Sequence, residues 1–404
     1  MSVLIRGARV LTLGGDAPPR RGHALSDPGA VPDVDVLVEG GRVAAVGEGL
    51  TLPAGARTIE ANGRVLMPAF VDCHTHACSS GDRLDEWERK QAGATYLELL
   101  EAGGGIMSTV RAVRAASEAE LAGSLGRRLG WMLREGTTTV ETKSGYGLTT
   151  ADELKMLRAI VNAGERWAGT VVPTACIGHA IDGDRDTFVA RTIGETLPAV
   201  HAEFPGVAID AYCEQGAWPL ADCLKLFDRA LELGHPVRVH ADQFHDLGMI
   251  PEALRRGFRS VDHLEATTPE HLAQLAGSGV FGVMLPCSGF HVDGRYANGR
   301  AFVDADGALA IATNVNPGSA PCASVPMAIA LGVRYLGISA HEAIAACTVN
   351  AAALLGLNDR GSITPGMRAD LVLLRHADER QLGYEFGGNP VDLVICAGEI
   401  VAGG

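Results

Sequence analysis

Between about residue 67 and residue 357, short apolar runs alternate with longer amphipathic stretches, and this alternation limits the fold more than any other feature of the chain. Eight runs qualify as strands: Ala69–Cys73, Thr137–Lys143, Thr170–Cys176, Ala208–Cys213, Pro236–His240, Ser260–Leu264, Val280–Leu285 and Ala310–Asn314. Stretches with helical spacing, among them Glu118–Arg134, Asp152–Ala163, Ala217–Leu233 and His341–Leu354, fall between or after them. A parallel strand reaches its neighbour only through a crossover connection, so this order predicts an α/β chain forming a (β/α)8 TIM barrel. An open, nucleotide-binding sheet is disfavoured, because Gly103-Gly104-Gly105 lacks the G-x-G-x-x-G spacing and no such fingerprint follows the first strand.

Both ends of the chain read as β structure. Val36–Val38 and Arg42–Val46 flank a glycine turn, and Leu393–Cys396 and Glu399–Val401 repeat that hairpin pattern after a strand over Ala369–Leu374. Neither end holds enough apolar residues for a core of its own. The expectation is one small, discontinuous β-sandwich domain from residues 1–66 and 358–404, enclosing a barrel domain over 67–357.

Composition narrows the function. Lys and Arg number 34 against 48 Asp and Glu, a formal charge of -14, with no basic cluster to hold a nucleic acid. No apolar run approaches the roughly 20 residues that span a bilayer, and Ser2–Leu13 lacks the features of a secretion signal. A cytoplasmic location without membrane partners is expected. The nine cysteines are scattered without a C-x-x-C pair, as in a reduced protein.

In a barrel, functional residues gather where strands end at the C-terminal face. Here the first strand runs into Asp72-Cys73-His74-Thr75-His76, the fifth ends at His240, the sixth at Asp262-His263 and the eighth at Asn314. Histidines at i and i+2 point to one side, so both can reach one ion at the ~2.0–2.1 Å of a zinc–nitrogen bond. His-x-His alone is a weak signal, more often surface or core histidines than ligands. With His240 and His263 at two further strand ends, a metal centre becomes the better reading.

These residues, with Gly81-Asp82-Arg83, Ala94-Thr95-Tyr96-Leu97-Glu98, Gly103-Gly104-Gly105-Ile106, Lys143-Ser144-Gly145-Tyr146-Gly147-Leu148, His240-Ala241-Asp242-Gln243, Asn316-Pro317-Gly318-Ser319 and Gly387-Gly388-Asn389-Pro390, resemble the amidohydrolase superfamily and, within it, the imidazolonepropionase family. The resemblance runs from about Leu66 to Val401. It implies a hydrolase of histidine degradation that opens the ring of imidazolone-5-propionate to give N-formiminoglutamate. It also implies one divalent metal, zinc or iron with manganese as a further choice, held by His74, His76, His240 and the residue at 314. His263 would face the reactive water, with Gln243 and Asn314 beside it, while Arg83, Tyr96, Tyr146, His179, Asn316, Gly318 and Ser319 would contact a small, carboxylate-bearing ring. A homodimer is expected.

An arginine fork suits a propionate carboxylate. Read without the family, Arg83 could pair instead with Asp82 or Asp85, Tyr96 and Tyr146 could be core aromatics, and His179 could cap a helix. Three features depart from the family pattern. Asn314 stands where the family has aspartate, and an amide can ligate a metal but cannot take a proton near neutrality. Asparagine there reads either as an engineered replacement of the kind that traps substrate, or as a natural variant using another base. Cys73 replaces the usual proline, and Leu285-Pro286-Cys287-Ser288-Gly289-Phe290-His291 differs from the usual exit of the seventh strand. A related ring, such as a hydantoin or a 2-thioxo-imidazolidinone propionate, therefore stays open, as does a weakened binding variant. A ring deaminase is disfavoured because Gln243 stands at the position of its glutamate proton shuttle.

Overall fold

The computed structural model describes residues 2–15, 17–93 and 104–403. Eight parallel strands, Phe70–Asp72, Thr137–Lys143, Thr170–Gly178, Ala208–Cys213, Arg238–Ala241, Ser260–His263, Phe281–Met284 and Leu309–Ile311, pair in chain order. The seam between the first and eighth closes just beyond the strand ends. There the Thr313 N–H and hydroxyl donate to Asp72, the Asn314 N–H to the His74 carbonyl, and the His76 N–H to the Val315 carbonyl, at 2.5 to 3.1 Å. The same bonds set His74, His76 and Asn314 side by side. In strands five and six, His240 lies opposite Asp262 and Ala241 opposite His263, so these tips also share one rim.

Helices hold the strands from outside. Glu118–Arg134 begins at a capping box formed by Ser117 and Glu120, and Leu121, Leu125, Leu129 and Met132 form its buried stripe. The stretch expected as one helix over His341–Leu354 is two, Ala340–Ala346 and Val349–Leu354. The break falls at Thr348, whose hydroxyl donates to the Ile344 carbonyl at 2.6 Å. A threonine that bonds back to the preceding turn competes with helix continuation, while the apolar spacing runs on undisturbed.

The two chain ends meet in a second, mixed sheet of eight strands. Leu371–Leu374 pairs antiparallel with Val65–Pro68 and joins the late segment to the early one. Alternate residues serve different cores: Leu371, Leu373, Leu393 and Ile395 pack with Ile5, Val36 and Val38, whereas Val372, Leu374 and Val394 face the barrel side. Each such aliphatic side chain, fully buried, stabilises the fold by about 1.5–3 kcal/mol. Among the described residues, no helix is long and apolar enough to cross a membrane.

Candidate metal centre

His74, His76, His240, His263 and Asn314 are 0% to 3% exposed. Nitrogen atoms of His74, His240 and His263 lie within 4.8 Å of one another. His76 joins them through its Nε2, 3.0 Å from the Nε2 of His240. Two carboxylates fix the rings from behind: His74 Nδ1 donates to Asp262 at 2.6 Å and His240 Nδ1 to Asp210 at 2.9 Å. Each Nε2 is thereby left as a lone pair, and the Nε2 of His74 has no partner. Burial, aided by Lys143, holds the His74 imidazole well below the ordinary histidine range; burial and His179 do the same for His76. His240 is lowered by burial despite Asp210. Neutral imidazoles converging with bare lone pairs are the donor set a divalent ion requires, and these residues fit one.

Beneath the histidines lies a charged layer that the strand ends alone did not disclose. Lys143 reaches Glu141 at 2.9 Å and Asp210 at 2.8 Å, while Arg238 reaches Asp262 at 2.7 Å, and Arg238 too is almost fully buried. Burial opposes ionisation of Asp210, but His240 and Lys143 outweigh it and hold its carboxyl well below the usual range. These are inward positions of strands two, four, five and six, and the pairs Glu141/Lys143, Arg238/His240 and Ser260/Asp262 carry the i, i+2 signal that marks a shared face. A second group, Cys176, Asp210 and His240, could in principle hold an ion. Its Asp210 oxygens are engaged by His240 and Lys143, and its His240 belongs to the first group as well, so the two groups cannot each hold an ion of their own.

Around the histidines, His179 stacks on His76 at 4.6 Å and donates to the Gly145 carbonyl at 3.1 Å; it caps no helix. Burial, with His240 nearby, pushes its pKa to about 3. Tyr146 packs 5.1 Å from His179, within reach of the Arg83 charge. Their loop is gathered by Glu153, whose carboxylate accepts the N–H groups of Gly145, Gly147 and Leu148 at 2.8 to 2.9 Å. Gly145 has φ +108°, and a Cβ there would fall 3.0 Å from the His179 ring, so only glycine fits.

Arg83 is ion-paired with Glu86 rather than with Asp82 or Asp85. Its Nη1 lies so close to Gly318 that a Cβ on that glycine would meet it at 2.7 Å. Asn316 and Ser319 brace this turn: Asn316 Oδ1 accepts from Gly318 N and Ser319 N at 2.8 and 2.7 Å, and its Nδ2 donates to the Asn314 carbonyl and Ser319 Oγ. Asn314, at φ +57°, has a buried Oδ1 without a partner. Gln243 accepts from the Tyr212 hydroxyl at 2.8 Å. Cys287 is buried, and His291 stacks on Trp87 at 4.5 Å. Tyr96 lies outside the described residues.

A sequence profile of the Amidohydrolase family matches residues 65–401. The chain belongs to the amidohydrolase family. Among curated amidohydrolase relatives, the imidazolonepropionase of Herpetosiphon aurantiacus is 45% identical over 96% of this chain and 94% of its own length. That of Deinococcus radiodurans is 41% identical over 94% and 95%, and that of Chloroflexus aggregans 39% over 99% and 98%. Among solved structures, a triazine hydrolase variant superposes with a TM-score of 0.73 at 18% identity, covering 100% of this chain and 95% of that one. N-isopropylammelide isopropylaminohydrolase from Burkholderia multivorans gives 0.70 at 19%, covering 99% and 98%. At such identities the structures speak for the amidohydrolase fold alone.

Proposed function

We propose that this amidohydrolase opens imidazolone-5-propionate by adding water across the ring amide, giving N-formiminoglutamate. The observation that carries this reading is the convergence of buried histidine nitrogens beside a wall containing Tyr146, His179 and Arg83. The names of the near full-length relatives favour imidazolone over the hydantoin and 2-thioxo rings.

His74, His76 and His240 would hold the ion, zinc or iron, with His263 close enough to share the site and Asn314 beside them. One divalent ion there supplies Lewis acidity, which lowers the pKa of water to about 7 and polarises a carbonyl. Arg83 binds the propionate and sets which ring atom faces the histidines. Tyr146 and His179 bound the ring and exclude water. His263, whose Nδ1 is 3.2 Å from Glu265, is the group on this chain that can carry a proton to the departing ring nitrogen. Asn314 can orient water but not deprotonate it.

Incubating the metal-loaded protein with imidazolone-5-propionate tests this. Loss of the ring chromophore with N-formiminoglutamate as product is expected. Ammonia release from intact purine or pterin rings, with the imidazolone untouched, would replace this reading by a deaminase.

A further inference from the structure

Arg83 and Glu86 stand one turn apart at the start of the helix Leu84–Gln91, which buries none of its own residues. One Glu86 oxygen, Oε2, pairs with Arg83 Nη2 and also accepts the Gly105 N–H at 3.0 Å. Gly105 caps the helix Ile106–Ala115, so this carboxylate ties two helix starts to the guanidinium. Glu86 is the sole ion-pair partner of Arg83 among the described residues, and both side chains are less than one-fifth exposed. Arg83 Nε is buried without a partner, and Nη1 lies over Gly318.

We propose that Glu86 is a positioning residue for the carboxylate grip, holding Arg83 in its binding rotamer before the ligand arrives. The proposal rests on the reading that Arg83 takes the substrate carboxylate. An arginine at the start of an exposed helix samples many rotamers, and freezing it on binding weakens affinity; one clamped in advance avoids that loss. Glu86 clamps one arm of the fork and leaves Nε as a free donor. The carboxylate reaches back by the i, i+3 spacing of a helix, and the Gly105 N–H keeps it from following Arg83 into solvent. The opposite role, competition with the ligand for Arg83, predicts the reverse effect of removing it.

The test is steady-state kinetics of the metal-loaded variants on imidazolone-5-propionate and on the same ring without the carboxylate. Glu86→Ala should raise KM for the carboxylate substrate about tenfold or more, with kcat within about twofold. It should leave the neutral ring's KM unchanged. Glu86→Gln keeps an oxygen acceptor for Nη2 and for Gly105, and should recover most of the loss. Arg83→Met/Glu86→Ala should be no worse than Arg83→Met alone. An unchanged or lowered KM in Glu86→Ala, or no recovery in Glu86→Gln, overturns the proposal. If Arg83→Met itself leaves KM unchanged, the grip is wrong and the proposal falls with it. If Arg83→Met raises KM while Glu86→Ala does not, Glu86 alone has been misassigned.

Discussion

Replacing Asp262 with asparagine probes how the charged layer supports the histidines. Asp262 Oδ2 accepts from His74 Nδ1 at 2.6 Å and from Arg238 Nη2 at 2.7 Å, and neither the aspartate nor the arginine is more than 3% exposed. An amide keeps the shape, and its oxygen can still accept from both donors in the place of Oδ2, but it carries no charge to neutralise Arg238, and its NH2 falls where Oδ1 has no partner. The other carboxylate near Arg238 is Glu141 at 3.5 Å, which also serves Lys143. Breaking one side of a buried pair costs about 3–5 kcal/mol. Since Glu141 keeps part of the compensation, a loss near the lower end, about 3 kcal/mol, is expected. The His74 ring also loses its anchor, which should lower metal affinity about 10–100-fold. Urea unfolding of the metal-free proteins reads the first quantity, and competition with a chelator the second. A loss under about 1 kcal/mol with undiminished affinity would refute the reasoning that this layer holds the site.

Gly318→Ala places a Cβ 2.7 Å from Arg83 Nη1, the far end of a flexible side chain, so the arginine should swing aside while the fold stays intact. Expected is a raised KM for the carboxylate substrate with an unchanged melting temperature; a lower melting temperature with normal KM contradicts it. Asn314→Asp restores a carboxylate able to receive and return a proton, and kcat should rise by about 10²-fold or more, the usual worth of a general base. An equal or lower kcat means that asparagine is the working residue. Buried His74, His76, His179 and His240 have folded pKa values below their unfolded ones, so their stabilisation is complete above about pH 6.5 and is lost as pH falls. Asp72 and Asp242, both raised by burial to about 7, and Glu153, also raised by burial, act in the opposite sense; the two aspartates stabilise at low pH and lose that contribution as pH rises through about 7. The four histidines outnumber these three carboxyls, so the metal-free protein should unfold at lower urea at pH 5.5 than at pH 7.5; the reverse order contradicts these assignments.

The barrel was legible because its strands announce themselves twice, by apolar runs of the right length and by polar residues at their C-terminal ends. His240 and His263 could be placed together from sequence for that reason alone. The helix break at Thr348 was hidden, since a hydroxyl bonding backwards leaves the apolar spacing unchanged. Lys143, Asp210 and Arg238 were hidden differently. Each is an ordinary charged residue until three strands bring them to one layer, and only the i, i+2 partnerships of Lys143 with Glu141 and of Arg238 with His240 hint at an inward facing. Glu86 gave no signal, because nothing in its local pattern separates a surface glutamate from one that clamps Arg83.

The central claim, a single histidine-held ion that opens an imidazolone ring, is tested most directly by titrating metal back into stripped protein while following imidazolone-5-propionate turnover. Activity should be absent at the start, rise linearly and break at about one equivalent per chain, because the second candidate group shares His240 with the first and its Asp210 is engaged by Lys143. His240→Ala should show no such break. Full activity in the stripped protein, or a break at two equivalents, would contradict the account.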